Sequence, residues 1–388
     1  MKKILSGFLA AGCLFMGAAC KNNTTKIHDG NNDKDSTAIV QTDIKTTPQK
    51  EYDLEAIAKV IDGAETVMGF SQGRASVINK EGKLGVIDKM GNIIIPFEYS
   101  YSVFKYSEGI ICCHKNHEEN FYFDLNGNLL FTMKDCGSGR FFDGIACVPK
   151  NGKHFYMDKT GQPLFGGQEW EWADDFSDGM ALVWKDGLWG FIDTTGELVI
   201  PYKYTSPAER NPEGFHDGVA AVVIDGSREL FCYIDKTGKQ IFPKLYHNDS
   251  PFCEGVAAVY DRETERYGYI DKSGNMVITL DEQCWGGNFN EGFALIRKSG
   301  GVPWGFINKN GEMVITLPEG TYRDVEPFFE GRAKVWDGKG YGFIDTTGKL
   351  VIPCEYTCYE GFSDGLVPVT KDGKCGYVDR DGNSTFNY

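Results

Sequence analysis

Cys112-Cys113-His114, with His117 three residues on, gathers two thiols and two imidazoles, the ligand types of zinc. The spacing fits no common zinc pattern, and the two cysteines fall in strand positions, so no metal site is expected. A second chemical series is Asp-x-x-Gly, from Asp88/Gly91 to Asp379/Gly382, with Asn308 once replacing the acid. Calcium takes about six to eight oxygen ligands, and one carboxylate per turn is too few. A third series places an acid one residue before a recurring glycine, at Asp178, Asp217, Glu254, Glu291, Glu330 and Asp364. These read as turn residues, with a carboxylate-lined groove as the other option. Metalloprotease, nucleophile-elbow, phosphate-loop and dinucleotide signatures are all missing from the sequence. The expectation is therefore no catalytic residues, no cofactor and no enzyme. The remaining candidates are aromatic: Trp184, Tyr260 and Trp336 share one slot, five residues past the recurring glycine, where rings on an outer face could stack against sugar or peptide. Trp170, Trp172 and Trp285 lie in the connections between repeats.

These residues are positioned by a repeat. The Asp-x-x-Gly anchors recur nine times at intervals averaging about 36 residues. Two residues before each anchor stands an aromatic residue, or Val86 once, and an apolar residue always follows it. Three before the anchor stands Gly85, Gly190, Gly268, Gly305, Gly342 or Gly376 in six units. Glycine inside a strand marks close approach of a backbone or a ring. Upstream, each unit opens with an aromatic three residues before a glycine, from Phe70/Gly73 to Phe362/Gly365. Two residues past that glycine the slot is Ala in seven units, and four past it is Val, Ile or Cys. That period of two is the buried face of a strand. Runs such as Leu198-Val199-Ile200-Pro201 follow each anchor, and proline, lacking an N–H, is expected to end the pairing. Each unit thus offers three short strands, with Asp-x-x-Gly as a hairpin turn in which Asp caps and Gly takes positive φ.

The stretch Gly187-Leu188-Trp189-Gly190-Phe191-Ile192-Asp193-Thr194-Thr195-Gly196-Glu197-Leu198-Val199-Ile200-Pro201 resembles the bacterial WG (KWG) repeat. The resemblance spans roughly residues 70–386, with Phe121, Phe155 and Cys232 departing from the glycine in three units. It implies an all-β protein that supplies a surface and has no shared catalytic set. A unit of about 36 residues is too thin to stand alone and must lean on its neighbours. The fold class is all-β, a tandem repeat of about nine three-stranded units. An open twisted array or solenoid is favoured, because a propeller blade commonly takes about 40–45 residues, and a β-propeller-like ring is the alternative. The segment 52–69 reads as an N-terminal cap and 70–388 as the repeats.

Lys2 and Lys3 precede an apolar stretch, Ile4 to Ala19, that is short for a membrane span. Its end, Met16-Gly17-Ala18-Ala19-Cys20, resembles the bacterial lipoprotein signal. The resemblance implies removal of residues 1–19 and lipid attachment at Cys20. Residues 20–51 then form the lipidated cysteine and a polar tether too poor in apolar side chains to fold. The expected address is the bacterial cell envelope, lipid-anchored through Cys20 and facing the periplasm or exterior. Acids exceed bases by 55 to 40, which disfavours nucleic acid as a partner because phosphate needs clustered Lys and Arg. Ten cysteines remain in the body, in slots that suit small apolar fillers, and mostly free thiols are expected. The expected function is a membrane-anchored binding or scaffolding surface for envelope protein or glycan. The alternative is a glycan-active enzyme on a closed propeller with paired carboxylates.

Overall fold

The structure, a computed structural model, describes residues 51–102, 106–115, 119–205, 213–223, 230–247 and 250–388. Cys20, the signal segment and residues 21–50 lie outside these, as does His117. Among the described residues the chain forms nine small antiparallel sheets, one per repeat, and no helix is long and apolar enough to cross a membrane. Six sheets have four strands, one has three and two have two.

Unit 4 shows how the local sequence makes a sheet. Its strands are Trp172–Ala173, Met180–Lys185, Leu188–Asp193 and Leu198–Tyr204, paired in chain order. The first hairpin turns on Asp178 (φ 59°) and Gly179 (φ 74°), two successive left-handed residues as a tight two-residue loop requires. The last turn is the Asp-x-x-Gly: Asp193 Oδ1 accepts from the N–H groups of Thr195 (2.9 Å) and Glu197 (3.1 Å). Gly196 takes φ 84°. The Asp-cap, Gly-corner expectation holds here and recurs along the chain.

Proline behaves differently from expectation. The strands Ile93–Tyr99, Leu198–Tyr204 and Leu350–Tyr356 run straight through Pro96, Pro201 and Pro353. Pairing skips there, Phe191 facing Ile200 while Trp189 faces Tyr204, so the proline sits in a bulge where no ladder N–H is needed. The strand glycine makes room for that bulge: a Cβ on Gly190 would lie 2.7 Å from the Ile200 carbonyl oxygen. The close-approach reading of this glycine is thereby explained.

Strand number also needs a refinement. At two joints the fourth strand of one sheet runs within a residue or two into the first strand of the next, at Ile93–Tyr99 and Tyr101–Ser102 and at Glu169–Trp170 and Trp172–Ala173. There one extended segment serves two sheets; elsewhere a short connection of four to seven residues supplies the first strand, as between Met313–Thr316 and Asp324–Phe329.

No unit owns a core. Each of nine apolar clusters joins residues of two neighbouring units; one unites Phe191 and Ile200 of unit 4 with Phe215 and Val222 of unit 5. The two repeated aromatics of the sequence meet across these joints. In eight of them the aromatic before the anchor packs on the next unit's opening Phe, with ring centroids 4.7–6.3 Å apart. The residue before each unit glycine adds a latch, accepting a hydrogen bond from the next unit's glycine N–H at 2.5–3.3 Å in all nine steps.

The ninth step runs from Asp364 back to Gly73, so the row closes on itself. Tyr377 packs on Phe70 at 5.0 Å and its hydroxyl donates to the Met68 carbonyl at 2.7 Å. The open array favoured from the sequence is therefore replaced by the ring, a propeller-like closure. The reason lies at the N-terminus. Helix Leu54–Val60, capped by Asp53, buries Leu54 and Ile57 in one cluster with Leu366 and Tyr377. Its Ala56 backbone rests against Gly91 of unit 1, the place where other anchor glycines meet the preceding unit's last strand, as Gly311 meets Ile278. The helix stands in for the strand that unit 9 lacks.

Candidate ligand cleft

The slot five residues past the unit glycine is the end of the second strand, so Trp184, Tyr260 and Trp336 occupy equivalent places in different sheets. The ring keeps them apart. Tyr260 lies against Tyr267 across its own hairpin at 4.8 Å, and Trp336 lies near Tyr341 at 6.3 Å with rings nearly parallel. Trp184 lines a cleft, a space of about 530 Å³ between units 3 and 4.

The segment 168–171, shared by the two sheets, forms one wall. It contributes Glu169, Trp170 and Glu171, while Trp184, Leu198 and Tyr202 of unit 4 form the other, with Lys153 and Lys185 at the two hairpin tips. Trp170 is buried edge-on against Tyr156 (5.1 Å) and Phe165 (6.1 Å), so its place is set by core packing. Trp172 faces the other way, 43 % exposed, with its ring 4.7 Å from His154. Trp184 pairs in register with Trp172 on one side and Trp189 on the other.

The electrostatics are mixed. Lys153 Nζ approaches Glu169 Oε2 at 3.5 Å, and both groups stay largely in solvent. Burial pushes the Tyr202 phenol up, an effect opposed by the Trp170 N–H and reinforced by Glu171. Burial also lowers His154, against a pull upward from the Glu171 backbone. Two buried polar atoms at this joint make no hydrogen bond of ordinary geometry: Trp170 Nε1 and His154 Nδ1, on residues paired in register. Behind the cleft wall, Asp175 is raised to about 6 by burial, with Arg140 opposing and Asp174 adding. Its carboxylate faces Arg140 at 3.5 Å and does not line the cleft.

The other sequence candidates are placed by the fold. Cys112 and Cys113 are buried in the apolar clusters on opposite faces of one sheet, so they cannot converge on one ion. Burial pushes the Cys112 thiol up to about 12. All ten body cysteines are free thiols. The acids before the unit glycines are spent on the latches between units. Of the cleft residues, Trp184 was legible from its slot, and Trp170 from its place in a connection. Glu169, Glu171, Tyr202 and the two lysines carried no sequence signal.

Comparison with solved structures gives a eukaryotic initiation factor, at 13 % identity and a TM-score of 0.54, covering 78 % of this chain and 92 % of that one. It also gives BamB from Moraxella catarrhalis, at 10 % identity and a TM-score of 0.43, covering 70 % and 93 %. The first likeness is one of fold alone. No curated protein matches the sequence. The WG-containing repeat matches at residues 85–112, 155–189, 189–227, 267–301, 304–335 and 341–375, together more than half the chain. Each match holds one Asp-x-x-Gly turn, with Asn308 in place of the acid once, and the chain belongs to the WG-containing repeat family.

Proposed function

We propose that this protein is a lipid-anchored, extracytoplasmic binding protein of the bacterial envelope, non-enzymatic, whose ring offers a surface to envelope protein or glycan. The observation that carries the binding role is the cleft between units 3 and 4, where aromatic walls and a charged rim share a space in the size range of ligand pockets. The membrane attachment rests on Cys20 behind Ala18-Ala19 and on the polar tether that follows. Metabolic labelling with a palmitate analogue tests it: label is expected on the wild type and lost in Cys20→Ala.

The binding role is tested by passing envelope extract over the immobilised full chain. A retained protein or glycan is expected, and a column that retains nothing at physiological salt would sink the reading. A second reading, a glycan-active enzyme, draws on one observation: Glu169 and Glu171 line the same cleft. Retained glycans released unshortened favour binding, and reducing ends appearing on incubation, lost in Glu171→Gln, favour hydrolysis.

A further inference from the structure

We propose that residues 37–44 of this chain add as an antiparallel strand to the outer edge of unit 2, strapping the segment that precedes the ring onto it. The proposal goes beyond the binding role above and does not depend on it.

An edge strand presents a row of unpaired N–H and C=O groups, and folded proteins guard such edges with proline, bulges, shortness or a cover. Among the described residues, eight of the nine outer edges are guarded in one of these ways. Units 1, 4 and 8 end in the strands Ile93–Tyr99, Leu198–Tyr204 and Leu350–Tyr356, each carrying a proline and two register shifts. Units 3, 6 and 7 end in strands of only two to four residues, Glu169–Trp170, Met276–Thr279 and Met313–Thr316. In unit 5 the fourth place is held by isolated bridges at Gln240 and Tyr246, on either side of Pro243. The edge strand of unit 9, Lys374–Asp379, is covered by the C-terminus, where Thr385 Oγ1 accepts the Tyr377 N–H at 3.0 Å. Unit 2 is the exception. Its outer strand Leu129–Lys134 has no proline, keeps four successive pairs in register from Lys134 opposite Glu119 to Phe131 opposite Tyr122, and shifts once. Leu129 and Leu130 at its start are 53 % and 47 % exposed.

The occupant follows from where the described chain begins and what precedes it. Glu51 stands 3.3 Å from Lys89 of unit 1, and the Asp-x-x-Gly turn of unit 2 packs on the last strand of unit 1, Gly127 lying against the Ile94 carbonyl. The chain therefore enters the structure one unit away from the start of the Leu129–Lys134 strand. Stacked sheets lie about 10 Å apart, and the seven steps from Ile44 to Glu51 can span about 25 Å. Residues 37–44 suit a strand, since five of the eight are β-branched, none is Gly or Pro, and Pro48 comes only afterwards. They are too poor in apolar side chains to fold alone, but strand addition draws its affinity from main-chain hydrogen bonds. Direction is fixed by the same geometry. Ile44 reaches Leu129 first, so the segment runs antiparallel, and Asp33 and Asp35 come toward Lys134 at the far end.

The test is amide hydrogen exchange on the full chain, compared with Thr132→Pro in the edge strand and Val40→Pro in the added one, because proline removes the N–H that pairing needs. In the wild type, amides of residues 37–44 are expected to exchange about tenfold or more slower than in a free peptide of that sequence. Thr132→Pro should return them to within about twofold of the peptide. Val40→Pro should speed exchange in Leu129–Lys134 and leave Leu188–Asp193 of unit 4 unchanged. Val40→Pro lies outside the ring and serves if Thr132→Pro fails to fold. Four results would overturn the proposal: peptide-like exchange of residues 37–44 in the wild type, protection that survives Thr132→Pro in a folded ring, no change in Leu129–Lys134 with Val40→Pro, or protection that rises with protein concentration, the mark of pairing with the edge of a second copy.

Discussion

Asp175 and Asp143 illustrate how differently two carboxylates act in this ring. Asp175 is half-buried beside the exposed Asp174, and Arg140 does not fully compensate its desolvation, so its carboxyl rises to about 6. A folded value above the unfolded one means that ionisation opposes folding. The penalty is fully present above about pH 6 and fades as pH falls toward the unfolded value near 4, in total roughly 2–3 kcal/mol. Asp175→Asn is therefore expected to raise the unfolding midpoint at pH 7.5, with a gain that shrinks between pH 6 and pH 4. A gain independent of pH would contradict the assignment. Asp143, by contrast, earns its place by geometry: it accepts the Gly179 N–H at 2.8 Å across a unit boundary. Asp143→Ala should cost about 1 kcal/mol in urea unfolding, and Asp143→Asn, which keeps an acceptor, less.

At the scale of one sheet, two kinds of glycine separate cleanly. Gly190 sits in a strand with normal φ, but a Cβ there would meet the carbonyl of Ile200 at 2.7 Å and the Tyr202 nitrogen at 3.1 Å. Backbone must move to admit it. Gly187 sits in a hairpin at φ 86° with open space around it, so alanine there is strained only by its own dihedral. Gly187→Ala is expected to cost about 1 kcal/mol and Gly190→Ala about twice that or more, with the bulge at Pro201 lost. Equal costs by chemical denaturation would show that the bulge is not what the glycine serves. The same bulge explains why proline in the Val-Ile-Pro runs leaves the strand intact: the residue without an N–H lies where the ladder skips.

For the whole ring, the absence of a core inside any unit makes every joint equivalent. Phe70 at the closing joint and Phe215 at an internal joint are both fully buried against the neighbour's aromatic residue. Phe70→Ala and Phe215→Ala are each expected to cost about 3–5 kcal/mol in equilibrium unfolding. An open row would make the closing residue far cheaper to remove. The helix Leu54–Val60 belongs to the same argument: Ile57→Ala should cost about 2–5 kcal/mol, because it empties the joint between unit 1 and unit 9.

The sequence alone determined the repeat and its chemistry. Period-two slots, Asp-x-x-Gly corners and the paired aromatics are local or nearest-neighbour features, and each repeats often enough to be read without coordinates. What it left open was closure, because whether nine units make a row or a ring depends on small rotations summed over every joint, and on a helix whose seven residues carry no repeat signature. The cleft was hidden for a related reason. Trp184 and Tyr202 stand near each other along the chain, but their partners Glu169, Trp170 and Lys153 come from the neighbouring unit. Only the packing of one sheet on the next decides which side chains share a space, while a repeat pattern specifies each sheet by itself.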